Sequence, residues 1–385
     1  MQVPFNHPTL LGGEADCIRQ ALAQGQISGN GFFTKECEKY LEGSLGVKRA
    51  LLTTSCTHAL EMCGLMLNLR PGDEVILPSF TFVSTASAFA LRGATPVFAD
   101  VRPETGNLDP EVVVRRITSR TKAIVAVHYG GVGCDMEQLG EIARRHEIPL
   151  IEDNAHGLWG SYRERPLGTF GRFATLSFHE TKNISCGEGG ALLLNDADDI
   201  ERAEILRDKG TNRNQFFRGQ VDKYTWVDLG SSYVMSEILA AHLLVQLQGH
   251  EQIQARRKSI WHNYHNQLRE WAAAEMIQQP QVPPECGQAY HLYYLVLPGA
   301  SERDAFIAHL RAHRIQAVFH YQALDASPMG RRLSGSAGDC PVTARLSDCL
   351  VRLPFYYDLD EAAQQHVIDR VREFRLSPTL KNSAP

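Results

Sequence analysis

The sequence predicts an α/β protein: a mostly parallel sheet covered by helices on both faces, followed by a smaller α+β unit. Three observations carry that expectation. Between about residues 50 and 195, short apolar runs alternate with helix-length segments. The runs are four to six residues long and bounded by Gly, Pro or charge, the mark of buried strands. Past about residue 235 the alternation stops, and a long Gln- and Arg-rich stretch leads into a second, smaller pattern. Strand–helix alternation of the first kind places helices on both faces of a parallel sheet.

In chain order, the strands are expected at residues 75–78, 96–100, 123–128 and 149–153, with two more at 174–178 and 191–195. Helices are expected at 59–69, 85–92, 110–117 and 136–146. Residues 235–270 lack an internal proline and read as one long helix or two abutting ones, ended by Gln279-Pro-Gln-Val-Pro-Pro284. The smaller unit then runs strand 291–297, helix 301–313, strand 316–320 and closing helix 360–374. We place the boundary near residue 250, giving domains 1–250 and 251–385, and expect a disordered tail over 377–385.

Composition narrows the class. The 385 residues are 43% apolar and 22% charged, an ordinary globular balance with ample core. Lys+Arg 39 against Asp+Glu 44 leaves a net charge of −5, so no general field draws the chain to nucleic acid or membrane. An anionic substrate needs a local basic cluster. The nine cysteines are odd in number, scattered and without a CxxC pair, which speaks against a disulfide framework and a metal site. The start, Met1-Gln-Val-Pro-Phe-Asn-His-Pro, lacks the basic and apolar regions of a secretory signal, and no apolar run is long enough to span a bilayer. A reduced, soluble, cytoplasmic protein is expected.

Three elements point to chemistry. Asp153 closes a predicted central strand in Ile151-Glu-Asp-Asn-Ala-His156, and ligands of open parallel sheets bind outside those strand ends; taken alone it is equally a helix cap. Lys182 follows the 174–178 strand in Ser177-Phe-His-Glu-Thr-Lys-Asn183, just before Gly187-Glu-Gly-Gly190. A lone lysine is usually a solvated surface residue, but burial or a neighbouring cation makes its amine a nucleophile. The pair fits pyridoxal phosphate, which needs a lysine for its Schiff base and a carboxylate to keep its ring nitrogen protonated. The third element, Thr53-Thr-Ser-Cys-Thr-His58, opens a helix with small polar residues, suited to a phosphate or simply to capping.

On these motifs, together with Glu152-Asp-Asn-Ala-His156 and Pro78-Ser-Phe-Thr-Phe-Val-Ser-Thr85, the chain resembles the DegT/DnrJ/EryC1/StrS family of sugar aminotransferases. The resemblance runs from Pro4-Phe-Asn6 to Leu353-Pro-Phe355 and implies a fold-type I pyridoxal phosphate-dependent aminotransferase. Residues 207–226, with Arg213, Arg218 and Lys223 among Phe216, Phe217, Tyr224 and Trp226, resemble the dTDP-4-amino-4,6-dideoxygalactose transaminases of enterobacterial common antigen synthesis. Those convert dTDP-4-keto-6-deoxyglucose with glutamate as amino donor. The resemblance implies that Lys182 carries the cofactor and shuttles the proton, and that Asp153 pairs with the ring nitrogen. It implies that His156 meets the ring or its phenolic oxygen, and that Phe82 stacks on it. Ser55, Cys56, Thr57 and Ser177 would hold the phosphate. It further implies a homodimer with active sites at the interface.

Two positions depart from the family pattern. Val234 stands where many relatives place an Asn reaching the other subunit's phosphate, with Ser231 or Ser232 as substitutes. In His320-Tyr-Gln-Ala-Leu-Asp325 the final His of the usual motif is Asp325, so only His320 is kept as a substrate contact. The aperiodic segment 211–226 is too long for an idle connection, and its mix of arginines and aromatics suits a nucleotide diphosphate. Rival expectations are the same chemistry on a GDP-linked sugar, or an equatorial amine product. The 3-dehydratase branch is disfavoured by Lys182, which is His there, and a Rossmann-type binding domain by the absence of GxGxxG after an early strand.

Overall fold

The computed structural model describes residues 1–335 and 339–377. Of the expected tail, residues from 378 onward lie outside the described residues. Seven strands form the central sheet: β1 Arg49–Thr53, β2 Glu74–Pro78, β3 Thr95–Ala99, β4 Thr121–Val127, β5 Leu150–Asp153, β6 Phe173–Ser177 and β7 Gly190–Leu194. Their order is β1-β7-β6-β5-β4-β2-β3. From β3 to β6 every neighbouring pair is parallel. β7 runs antiparallel to both β6 and β1.

Burial on both faces explains the continuous apolar runs, since successive side chains point to opposite sides. Leu51, Val75, Val125 and Leu192 pack on one side with the helices Cys56–Met66 and Val83–Ala90. Ala50, Leu52, Leu193 and Ala174 pack on the other with Phe32–Leu45 and Glu237–Gln248. Ile76, Ile124 and Ala126 meet Pro110–Arg116 and Met136–Arg145 on that same side. β1 was not anticipated; it starts on Arg49 and ends in a threonine pair, so it offers only Ala50-Leu-Leu52 as an apolar run.

The stretch after 235 is two helices, Glu237–Gln248 and His250–Ala274, abutting at Gly249. A Cβ on Gly249 would lie 2.2 Å from Leu11 Cδ1, so a larger residue at the junction requires the Leu11 side chain to move. The second helix carries Ile260, Tyr264 and Leu268 into the core of the smaller unit, which also takes Val3 from the chain's start. Its sheet is antiparallel, with β8 Tyr294–Val296 and β9 Val318–Phe319 flanking β10 Leu350–Arg352. Two carboxylates tie this unit to the parallel strand ends. Asp100 accepts from the backbone N–H groups of Val342 and Thr343 and from the Thr343 hydroxyl. Buried Asp325 accepts a 2.6 Å hydrogen bond from the Ser79 hydroxyl. None of the helices among the described residues is long and apolar enough to cross a membrane.

Segment 211–226 is not wholly irregular. A short helix, Arg213–Phe217, stands on a base closed by the Thr211–Trp226 bridge and by Asn212 Oδ1 accepting from Thr225 N–H. Phe217 on the helix is 67% exposed, and Trp226 at the base is 73% exposed.

Candidate active site

A cavity of about 790 Å³ opens where the parallel strands end and the smaller unit leans over them. Its wall contains Ser55, Cys56, Thr57, Phe82, Asp153, His156, Ser177, Lys182 and His320, so the structure brings these predicted residues together from both units. Arg213, Arg218 and Lys223 do not line it. Arg213 lies with its guanidinium 5.1 Å from the Phe217 ring, and Arg218 pairs with Glu204 at 2.7 Å.

Asp153 is the last residue of β5 and is 5% exposed. Its carboxylate accepts from the Thr85 hydroxyl at 2.7 Å and from Ala155 N–H at 3.3 Å. Turns follow it rather than a helix, so it caps none. Burial pushes its pKa up, against the pull of those hydrogen bonds and of Lys182. A cation placed at this carboxylate restores its ionised form.

Lys182 sits in the loop joining β6 to β7. The loop is stitched by Phe178 N–H to Gly189 O, Glu180 N–H to Gly187 O and Cys186 N–H to Phe178 O. Burial pushes the Lys182 amine down to about 8; Arg352 adds to the fall, while Cys56 and Asp153 oppose it. The amine is thereby brought into the range of a useful nucleophile.

Ser55 caps the helix Cys56–Met66, accepting from His58 N–H at 3.1 Å. Capping and anion binding are compatible, because a helix start has four unpaired N–H groups and one cap satisfies one of them. Gly190, the first residue of β7, presses against this turn: a Cβ there would lie 2.4 Å from Cys56 N and Ser55 C. Thr57 shares a 2.8 Å hydrogen bond with Ser84. Phe82, 56% exposed, stands on the rim with its ring 6.2 Å from that of Tyr321.

Three histidines form the back wall. His156 stacks on His291, with ring centroids 4.1 Å apart. Gly130 N–H donates to His156 Nδ1, which assigns the ring proton to Nε2, facing Tyr321 Oη at 3.3 Å. His291 Nδ1 bonds the Oδ1 of Asn183, the residue after the lysine, and His320 Nδ1 meets Tyr129 Oη. Burial, then nearby Lys182 and Arg352, holds His156 well below the ordinary imidazole range. Burial likewise holds His291 and His320 there, so all three are neutral at pH 7.

Sequence reasoning missed Thr85, His291, Tyr321 and Arg352. Thr85 ends a motif quoted above, without a role. Arg352 breaks the otherwise apolar run Cys349-Leu-Val-Arg-Leu-Pro354, and a charge at such a place was a readable signal.

A lysine with a lowered pKa, a buried carboxylate at a strand end and an open helix start share one cavity on a mostly parallel sheet. That combination defines a pyridoxal phosphate-dependent enzyme, and the residues fit the cofactor's amine, ring-nitrogen and phosphate requirements. The chain belongs to the DegT/DnrJ/EryC1/StrS aminotransferase family, whose profile matches residues 11–372. It is 31% identical to the uncharacterized protein MJ1066 of Methanocaldococcus jannaschii over 347 residues, covering 88% of this chain and 89% of that one. Among solved structures, the aminotransferase TlmJ from Streptoalloteichus hindustanus is 30% identical, with a TM-score of 0.89 over 97% of this chain and 98% of TlmJ. Spr1654 from Streptococcus pneumoniae, solved in a PLP-form and a PMP-form, is 25% identical. Both forms superpose with a TM-score of 0.89 over 97% of this chain and 97% or 98% of Spr1654.

Proposed function

We propose that this aminotransferase moves the amino group of L-glutamate to the C4 ketone of dTDP-4-keto-6-deoxyglucose, giving dTDP-4-amino-4,6-dideoxygalactose for a surface polysaccharide of the enterobacterial common antigen type. The reading includes a cytoplasmic homodimer with its active sites at the subunit interface. The observation that carries the chemistry is the meeting of Lys182 and Asp153 in one cavity of about 790 Å³, within the range of ligand pockets. Spr1654 carries a sugar-aminotransferase assignment, which supports a sugar acceptor here. Segment 207–226 supports the choice of sugar nucleotide, through the resemblance described above.

The roles follow from position. Lys182 Nζ would hold the cofactor, take the proton from the donor Cα in the first half-reaction and deliver a proton to sugar C4 in the second. Asp153 keeps a proton on the cofactor's ring nitrogen, and Thr85 holds that carboxylate in place. The helix start at Ser55, Cys56 and Thr57, with the Ser177 hydroxyl, takes the phosphate. Phe82 and His156 flank the ring, and His320 faces the sugar. When bound, the cofactor supplies the electron sink that makes a proton removable from carbon. Arg213, Arg218 and Lys223 serve the nucleotide diphosphate of the neighbouring subunit's site, which is consistent with their absence from this chain's own cavity.

Turnover of dTDP-4-keto-6-deoxyglucose with L-glutamate, with NMR assignment of the product's C4 configuration, tests the proposal. An axial C4 amine supports it. An equatorial amine, or turnover of a GDP-linked 4-keto-6-deoxy sugar instead, transfers the same chemistry to a different substrate. No amine product from any of these sugars refutes it.

A further inference from the structure

Among the described residues that line the cavity, only Lys182 and Arg352 are lysine or arginine. Lys182 is committed to the cofactor under the proposed function, which leaves Arg352 as the cavity's other such cation among the described residues. It ends β10, on the smaller unit, and reaches the cavity from the side opposite the parallel strands. Its guanidinium carbon lies 4.6 Å from the Phe5 ring centroid, and Nη2 makes only a long 3.5 Å hydrogen bond to Phe319 O. Nε is buried with no hydrogen-bond partner. No carboxylate pairs with it among the described residues, and burial lowers its pKa, opposed by the Tyr129 and Tyr321 phenols. The neighbouring histidines are neutral. A guanidinium in such a wall is an incomplete ion pair, and its planar fork matches a carboxylate.

We propose that Arg352 is the residue that recognises the α-carboxylate of the amino-acid donor. This rests on the aminotransferase reading and deepens it. Three anions enter the site: the cofactor phosphate, the donor carboxylates and the nucleotide diphosphate. The helix start at Ser55–Thr57 already offers N–H groups and hydroxyls to the phosphate. Choosing between the other two is a matter of bond count. In an amino acid the α-carboxylate is one bond from the carbon that loses its proton. In a sugar nucleotide the diphosphate is attached at C1, several bonds from the C4 carbon that must approach Lys182. Arg352 lines the same cavity as Lys182, His156, His291 and His320, and its charge lowers the pKa of each. An anion on its fork is therefore held beside the reacting carbon, which suits the α-carboxylate and not the diphosphate.

The test uses cofactor-loaded wild type, Arg352→Gln and Arg352→Lys. Conversion of the PLP form to the PMP form by L-glutamate is followed by absorbance, and binding of glutarate, a dicarboxylate without an amine, by calorimetry. In Arg352→Gln the apparent Kd for both should rise roughly 10- to 100-fold, the range of a lost charged hydrogen bond. Arg352→Lys should recover part of that loss. Cofactor affinity and the KM for the sugar nucleotide should stay within about threefold, well below the cost of a lost charged contact. Unchanged glutamate and glutarate binding overturns the inference. So does a collapse of cofactor affinity, which would place the phosphate on Arg352, or a rise confined to the sugar nucleotide, which would place the diphosphate there. Wild-type protein converted by no L-amino acid refutes the aminotransferase reading itself. Wild type converted normally, with Arg352→Gln converted equally well, refutes only the role of Arg352.

Discussion

The pKa of Lys182 makes a quantitative claim about the cofactor-free protein. A fall from 10.5 to about 8 raises the neutral fraction of the amine at pH 7 from roughly 0.03% to roughly 9%, about 300-fold. Covalent capture of pyridoxal phosphate needs that neutral amine, so the second-order rate of capture should rise with pH and level off above about 8. Stopped-flow absorbance on cofactor-free protein across pH 6–10.5 measures the inflection. Burial is the main cause of the fall, while Asp153 raises the pKa and Arg352 lowers it. Asp153→Asn should therefore move the inflection down, and Arg352→Gln should move it up. The same shift carries a stability term. Between pH 8 and 10.5 the native state binds fewer protons at this site than the unfolded state, so stability rises with pH across that window. At pH 7 the buried cation costs up to about 3 kcal/mol, which Lys182→Met should recover in part. A wild-type inflection near 10, or one indifferent to both neighbours, would refute the reasoning.

Three further outcomes are expected. Asp153→Asn should keep the fold and bind the cofactor, because the Thr85 hydroxyl still has an amide oxygen to donate to; kcat should drop by orders of magnitude, and near wild-type turnover would reduce Asp153 to a structural role. Arg218→Ala should raise the KM for the sugar nucleotide and leave the glutamate half-reaction unchanged. Because Arg218 also pairs with Glu204, a fall in both half-reactions together would identify the segment as structural scaffolding. Asp325→Ala should lower stability by about 1–3 kcal/mol in urea denaturation, since it strips a buried hydroxyl of its acceptor; an unchanged midpoint would show that the Ser79–Asp325 link does not hold the two units together.

Much of the large sheet was legible because parallel strands buried on both faces write their apolar runs into the sequence. β1 was not, since its three apolar residues depend on β7 and on the helix Phe32–Leu45 for cover. Lys182, Asp153 and the helix start were legible because each sits at an element boundary, where its chemistry stands out from the pattern. Of the histidine wall, His156 and His320 were named through the resemblance, but His291 and the stacking of the three were illegible for the opposite reason. His156, His291 and His320 come from distant loops, and only the packing of the smaller unit stacks them. Asp325 shows the limit of motif transfer: it is buried against Ser79, where it joins the two units instead of meeting a substrate. Segment 211–226 was read as aperiodic, whereas it holds the short helix Arg213–Phe217, which rests on a closure by Asn212 that periodicity cannot reveal.

The reversed direction of β7 governs when the site comes into being during synthesis. β1 leaves the ribosome early, yet its partner strand follows only after β2 to β6 have been made. Until then β1 has helices for cover but no strand hydrogen bonds, a long-range pairing that must wait for loop closure. The docking of Gly190 on Ser55 and Cys56 brings the lysine loop to the anion-facing helix start, so both halves of the cofactor's seat appear in one late event. A chain that ends before β7 thus lacks the contact that sets the lysine loop against the helix start. Ligand binding rewards only the finished sheet, sealing a completed protein rather than templating a growing one.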